Sequence, residues 1–164
     1  YRQQLGEWGQ VRWSAAYNWN QTKIEKLQDN PSALAGLGSQ YQLFDRRLQK
    51  DLTVATPQSK LILASNWKLG DFDTNLAVTR FGSYIEGDNN PVNDRKYSAK
   101  WITDLDVAYK LSKQLTVALG GNNLFNVYPD KKGIQDWSGA YKYGQFSPFG
   151  LGGSYYYTRL AYAF

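Results

Sequence analysis

The chain contains no cysteine, which removes disulfide frameworks and thiol chemistry. It also contains no histidine, the commonest general base and the commonest transition-metal ligand. What remains offers no catalytic constellation and no metal- or cofactor-binding set, so neither an enzyme nor a resident cofactor is expected. No stretch approaches the roughly 18 apolar residues of a membrane-crossing helix, and mean hydropathy is low at −0.58. The formal charge of +5 is spread without a basic block, which leaves nucleic-acid binding unsupported. No secretory signal opens the chain either: Tyr1-Arg2-Gln3-Gln4 reads as the interior of something longer.

What is present is aromatic side chains and period-two alternation. Aromatics make up 16% of the residues, with 13 Tyr and 6 Trp, an excess that suits interfacial belts. The stretch from Gly150 to Phe164 shows the alternation best. Phe164, Tyr162, Leu160, Thr158 and Tyr156 fall on one side of a strand, and Ala163, Ala161, Arg159, Tyr157 and Tyr155 on the other. A soluble antiparallel sheet alternates in the same way. The aromatic carboxyl terminus, which ends the chain inside the strand, tilts the reading toward an outer-membrane barrel, whose strands alternate apolar-out and polar-in.

Five further strands are expected, running from Gly9 to about Ile24, Lys60 to Leu69, Phe72 to about Glu86, Tyr97 to Leu111 and Leu115 to about Phe125. Arg80 lands on the apolar face by parity, so either it lies near a membrane rim or a bulge precedes it. Between the strands, short turns at Leu5–Gly9, Gly70-Asp71 and Ser112–Gln114 alternate with longer connections. Two of these are long: Gln28 to Ser59, where Ala33–Leu37 is a candidate short helix, and Asn126 to Pro148. Strict alternation of short and long connections fits a sheet that separates two unlike sides. Six antiparallel strands joined as sequential hairpins follow, with both termini at the short-turn end.

Asn122-Asn123-Leu124-Phe125-Asn126, followed by Val127-Tyr128-Pro129-Asp130-Lys131, resembles the Asn-Leu-Phe-Asp signature in the penultimate strand of TonB-dependent outer-membrane transporters. Asn126 stands where that signature has aspartate. Phe146-Ser147-Pro148-Phe149-Gly150, the terminal Tyr155–Phe164 stretch and Lys100-Trp101-Ile102-Thr103-Asp104-Leu105 resemble the end of the same family, in the same order. The resemblance implies an all-β fold: a 22-stranded antiparallel transmembrane β-barrel around an N-terminal plug. Residues 1–164 would supply about the last six strands, without the plug domain or the TonB box. It also implies a Gram-negative outer-membrane location, import of a siderophore or other iron complex, and energy from TonB. The partners would be the rest of the barrel and the plug, outer-membrane lipid and the barrel-assembly machinery. Two other classes stay open. One is a complete small barrel of about eight strands, with extra strands in residues 40–58 such as Leu52-Thr53-Val54. The other is a soluble β-sandwich binding module.

Three groups of residues are candidates for function. Asp104, Asp106, Lys110 and Arg159 share the polar faces of their strands and are expected on the lumen wall, facing the plug. Trp137, Tyr141, Tyr143 and Phe146 lie in a long loop, where aromatics offer rigid contact area to a ligand. Leu160, Tyr162 and Phe164 form the apolar face of the last strand. In the family this resembles the signal read during barrel assembly. Asn122 and Asn123 are expected to satisfy backbone groups where strand meets loop.

Overall fold

A computed structural model describes residues 1–38, 41–133 and 142–164. Its main feature is one antiparallel sheet of seven strands. A three-residue β1 (Arg2–Gln4) turns through Gly6–Trp8 into β2 (Gln10–Trp19). There follow β3 (Ser59–Leu69), β4 (Phe72–Phe81), β7 (Lys100–Lys110), β8 (Leu115–Asn122) and β9 (Tyr155–Tyr162). Each pairs with the next in the order β1-β2-β3-β4-β7-β8-β9. The hairpin β5 (Tyr84–Glu86) and β6 (Arg95–Tyr97) stands apart as a second, two-stranded sheet in the β4–β7 connection.

The expected strands shorten for local reasons. β2 stops at Trp19 because its partner's ladder runs into Pro57, which has no N–H to donate; Asn20 N–H to Gln58 O, 2.8 Å, is the last rung. The strand expected over 72–86 breaks at Gly82, where a β-carbon would come within 2.6 Å of Ser59 Oγ. The one expected over 97–111 breaks at Ser98, whose N–H is taken by the Asp130 carboxylate at 2.6 Å. β8 ends at Asn122 because Asn123 turns left-handed, with φ +52°. Beyond β9, Ala163 N–H still bonds Gln114 O at 2.9 Å, so Phe164 ends the chain just past the strand. Tyr1 is not at the short-turn edge as expected: it sits opposite Trp13, beside the strand β1 that the sequence reading missed.

Register carries the facing argument, because directly opposed residues of an antiparallel pair share a face. β4 runs in unbroken register with both neighbours from Phe72 to Phe81. Arg80 therefore follows no bulge; it lies one residue from the long-loop end of β4, opposite Trp101. Residues 40–58 hold the helix α1 (Arg46–Thr53), so Leu52-Thr53-Val54 is no strand, which removes the eight-stranded barrel. Among the described residues no second layer covers the apolar face of the sheet. The soluble sandwich, which needs two sheets face to face, fails on that point.

Candidate functional site: a two-faced wall beneath a loop cap

One face of the sheet is almost entirely apolar. Reading across the strands by register, it holds Val11, Trp13 and Tyr17 of β2, Leu61, Leu63 and Trp67 of β3, and Phe72, Leu76 and Val78 of β4. It continues through Trp101, Leu105, Val107 and Tyr109 of β7, Val117 and Leu119 of β8, and Tyr156, Leu160 and Tyr162 of β9. Most of its aromatics gather toward its two ends. Tyr17, Trp19 and Trp101 lie toward the long loops, while Trp67, Phe72, Tyr109, Tyr162 and Phe164 lie toward the short turns; Trp13 and Tyr156 share the middle register row of Leu76 and Leu105. Aliphatic residues and small hydroxyls fill most of the band between. On β7 the two ends are marked by Trp101 and Tyr109, a separation of about 26 Å at ~3.3 Å per residue. A barrel strand tilted by ~40° reduces this to about 20 Å of depth, close to the ~25 Å apolar band of an outer-membrane barrel.

The opposite face is polar. Arg12, Asn18, Lys60, Asn66, Lys68, Asp73, Asn75, Thr79, Lys100, Asp104, Asp106, Lys110 and Arg159 lie on it. Asp106 accepts the Tyr157 hydroxyl at 2.8 Å and pairs with Arg159 at 3.3 Å. Asp104 is used differently. Its carboxylate accepts the backbone N–H of Asn123 at 2.7 Å and so anchors the β8 exit. The two aspartates share a face but have separate partners, which leaves no acid–base pair. Lys110 closes the short-turn end, its backbone N–H bonding Asp71 O at 3.0 Å. A groove of about 420 Å³ runs between Lys68, Asp73, Asn75, Asp106, Lys110 and Arg159.

The Asn-Leu-Phe-Asn motif is a connector. Asn123, only 7% exposed, adopts the left-handed conformation that asparagine tolerates better than other side chains. Its side-chain amide donates to Val127 O at 2.7 Å and accepts from Val127 N–H at 2.9 Å. Its carbonyl accepts the Ser154 hydroxyl at 2.9 Å, and Leu124 N–H bonds Thr103 O at 2.7 Å. One turn thereby ties β7, β8 and the approach to β9. Asn126, also left-handed at φ +54°, accepts from Ser154 N–H at 3.1 Å. Asn122, by contrast, is the last residue of β8, opposite Tyr155.

At the long-loop end three connections lock together. Asp45 caps α1, accepting Leu48 N–H at 2.9 Å. The Arg46 fork then grips Asp94 at 2.7 and 2.6 Å and also donates to Asp88 O. That bidentate guanidinium holds the Asp94 carboxyl well below the usual carboxylate range. Ile85 N–H bonds Val54 O at 2.9 Å, so the helix end joins the β5–β6 hairpin. On that hairpin the nearly buried Glu86 accepts the Tyr97 hydroxyl at 3.0 Å and Phe146 N–H at 3.1 Å. Gly144 lies against it, where a β-carbon would approach Glu86 Oε1 to 2.5 Å. Tyr143 stacks on Tyr128 at 5.8 Å, and Phe149 on Phe81 at 5.7 Å. Trp137 and Tyr141 lie outside the described residues. The sequence reading missed α1 and Glu86, although Asp45 before Arg46-Arg47-Leu48 is an N-cap signal.

Asp130 ties Ser98 and Lys100 together beneath the cap through its carboxylate. Burial pushes its carboxyl up, but the Lys100 ammonium at 2.5 Å and the donors of Ser98 outweigh that and bring it down to about 2. A depressed pKa contributes stability that is complete above the unfolded value of about 4 and is lost as pH falls through the folded one. Between about pH 4 and 2, amide exchange around Ser98, corrected for intrinsic rate, is expected to rise. Asp130→Asn should give fast exchange at pH 5 as well. Unchanged protection in acid would separate Asp130 from loop order.

The comparisons with known proteins agree with this geometry. The family model for TonB dependent receptor-like β-barrels matches residues 1–124. The chain belongs to the TonB-dependent receptor β-barrel family, and its sheet is a section of that transmembrane wall. The fold and family are those of transport receptors. Among the solved structures that share the fold are two of the ferric enterobactin receptor PfeA from Pseudomonas aeruginosa. The G324V mutant aligns at 21% identity and TM-score 0.61 over 99% of this chain. The Q482A mutant in complex with enterobactin aligns at 21% identity and TM-score 0.58 over 98%. In each case the chain spans 21% of the receptor's length. No curated protein sequence matches the chain.

Proposed function

We propose that residues 1–164 are the C-terminal segment of the barrel of a nutrient receptor in the outer membrane of a Gram-negative bacterium. The carrying observation is the continuous apolar face of the sheet, mainly aliphatic in the middle and enriched in aromatics toward both ends, backed by a polar face. The apolar face meets lipid. The polar face, with Asp104, Asp106, Lys110 and Arg159, lines the lumen and meets the plug domain of the parent chain. The interlocked loops form the outer mouth, where Tyr143 and Phe146, together with Trp137 and Tyr141, contact the ligand. The cargo is a ferric siderophore or a related iron complex, and TonB acting on the parent supplies the energy. The likeness in fold to receptors named for ferric enterobactin favours this class of cargo.

Deleting the full-length gene should abolish growth on one or more ferric siderophores as sole iron source. Removing TonB should give the same loss. Growth that is unaffected across a panel of siderophores, with loss on another scarce nutrient, would keep the receptor and reject the cargo.

A further inference from the structure

We propose that Tyr156 and Tyr157 are keys that set the register of the last strand by lying across Gly121 and Gly120. In the β8–β9 ladder Tyr157 is opposite Gly120 and Tyr156 opposite Gly121. The two rings cover their glycines on opposite faces of the sheet. A β-carbon at Gly120 would collide with the Tyr157 ring, and one at Gly121 would come within 2.9 Å of Tyr156 Cδ1. Each hydroxyl is fastened beyond its glycine. Tyr157 crosses β8 to donate to Asp106 on β7 at 2.8 Å, and Tyr156 donates to Leu124 O at 3.0 Å.

Ser154 against Asn123 and Asn126, and Arg159 against Asp106, also favour this register, but no tight turn enforces it. A tight turn sets register in a short hairpin, but residues 123–154 separate β8 from β9. Alternation of apolar and polar residues excludes a slip of one, which would turn Arg159 toward the apolar side. It does not exclude a slip of two, which leaves every side chain on its proper face. Such a slip sets Tyr157 against Ala118 or Asn122 and Tyr156 against Leu119 or Asn123. Each of those residues carries a β-carbon where the ring must lie. Only the observed register presents a glycine to both tyrosines.

Cross-linking in the full-length receptor reads the register directly, since this part of the chain has no cysteine of its own. Leu119→Cys with Thr158→Cys reports the observed pairing; Leu119→Cys with Leu160→Cys reports a slip of two. The first pair should form a disulfide and the second should not. Adding Gly120→Ala and Gly121→Ala should lower the first cross-link severalfold and raise the second. Should that variant not fold, Tyr156→Ala with Tyr157→Ala provides the same test, whereas Tyr156→Phe with Tyr157→Phe keeps the rings and should keep the register. An undiminished first cross-link in both the glycine and the alanine variants would overturn the proposal.

Discussion

Leu105→Arg in the full-length receptor is expected to remove most of the folded barrel from the outer membrane. Leu105 lies midway between Trp101 and Tyr109, with Leu76 opposite it on one side and Gly121 on the other. It therefore sits in the middle of its strand, four residues from each of the two aromatics that bracket it. An arginine facing lipid at the midplane costs about 2–4 kcal/mol, or roughly 30- to 1,000-fold in a folding equilibrium at 1.4 kcal/mol per decade. Arg80 is tolerated on the same face because it lies at the rim, in register with Trp101, where the cost falls toward zero. The control is Ala77→Arg, on the polar face opposite Asp104. Heat-modifiable mobility of outer-membrane extracts should show normal barrel for Ala77→Arg and little for Leu105→Arg. Equal yields would mean that the apolar face does not meet lipid.

Phe164→Ala, or deletion of Phe164, is expected to reduce the amount of folded barrel while leaving ligand affinity per folded molecule nearly unchanged. Phe164 is fully exposed and stands edge-on to Tyr162 at 5.2 Å. Among the described residues its ring meets that of Tyr162 and takes part in no ladder bond of β9. With Leu160 and Tyr162 it prolongs the apolar edge of β9, and such an edge is a template for strand addition by an assembly machine. The long loops lie at the other end of the sheet. Normal yield with weakened binding would move Phe164 from assembly to the ligand path.

Much of the wall was legible because a two-residue period needs only local sequence. Trp101 to Tyr109 and Tyr156 to Tyr162 give their faces directly, and a parity error would have exchanged Asp104 and Leu105. The breaks were not legible, because each depends on a distant partner. Ser98 leaves the ladder for Asp130, Gly82 is squeezed by Ser59, and β2 ends where Pro57 interrupts its neighbour. The cap was hidden for the same reason. Glu86 takes its two donors from Tyr97 and Phe146, and no spacing in the sequence connects residues 86 and 146. Asp104 illustrates a further limit: parity finds its face but not its use, since the N–H of Asn123 is offered only once that residue turns left-handed.

A barrel wall of this kind turns its apolar face to lipid and its polar face to water. In a full-length receptor freed of any other cysteines, single cysteines at positions 103 to 108 along β7 test it most directly, by comparing a membrane-impermeant maleimide with quenching by a lipid-borne spin label. Alternation with period two is expected. Positions 103, 105 and 107 should resist the maleimide and be quenched from the lipid, while 104, 106 and 108 should escape the lipid quencher. Reactivity that varies smoothly along the strand, or alternates with the opposite parity, would contradict it.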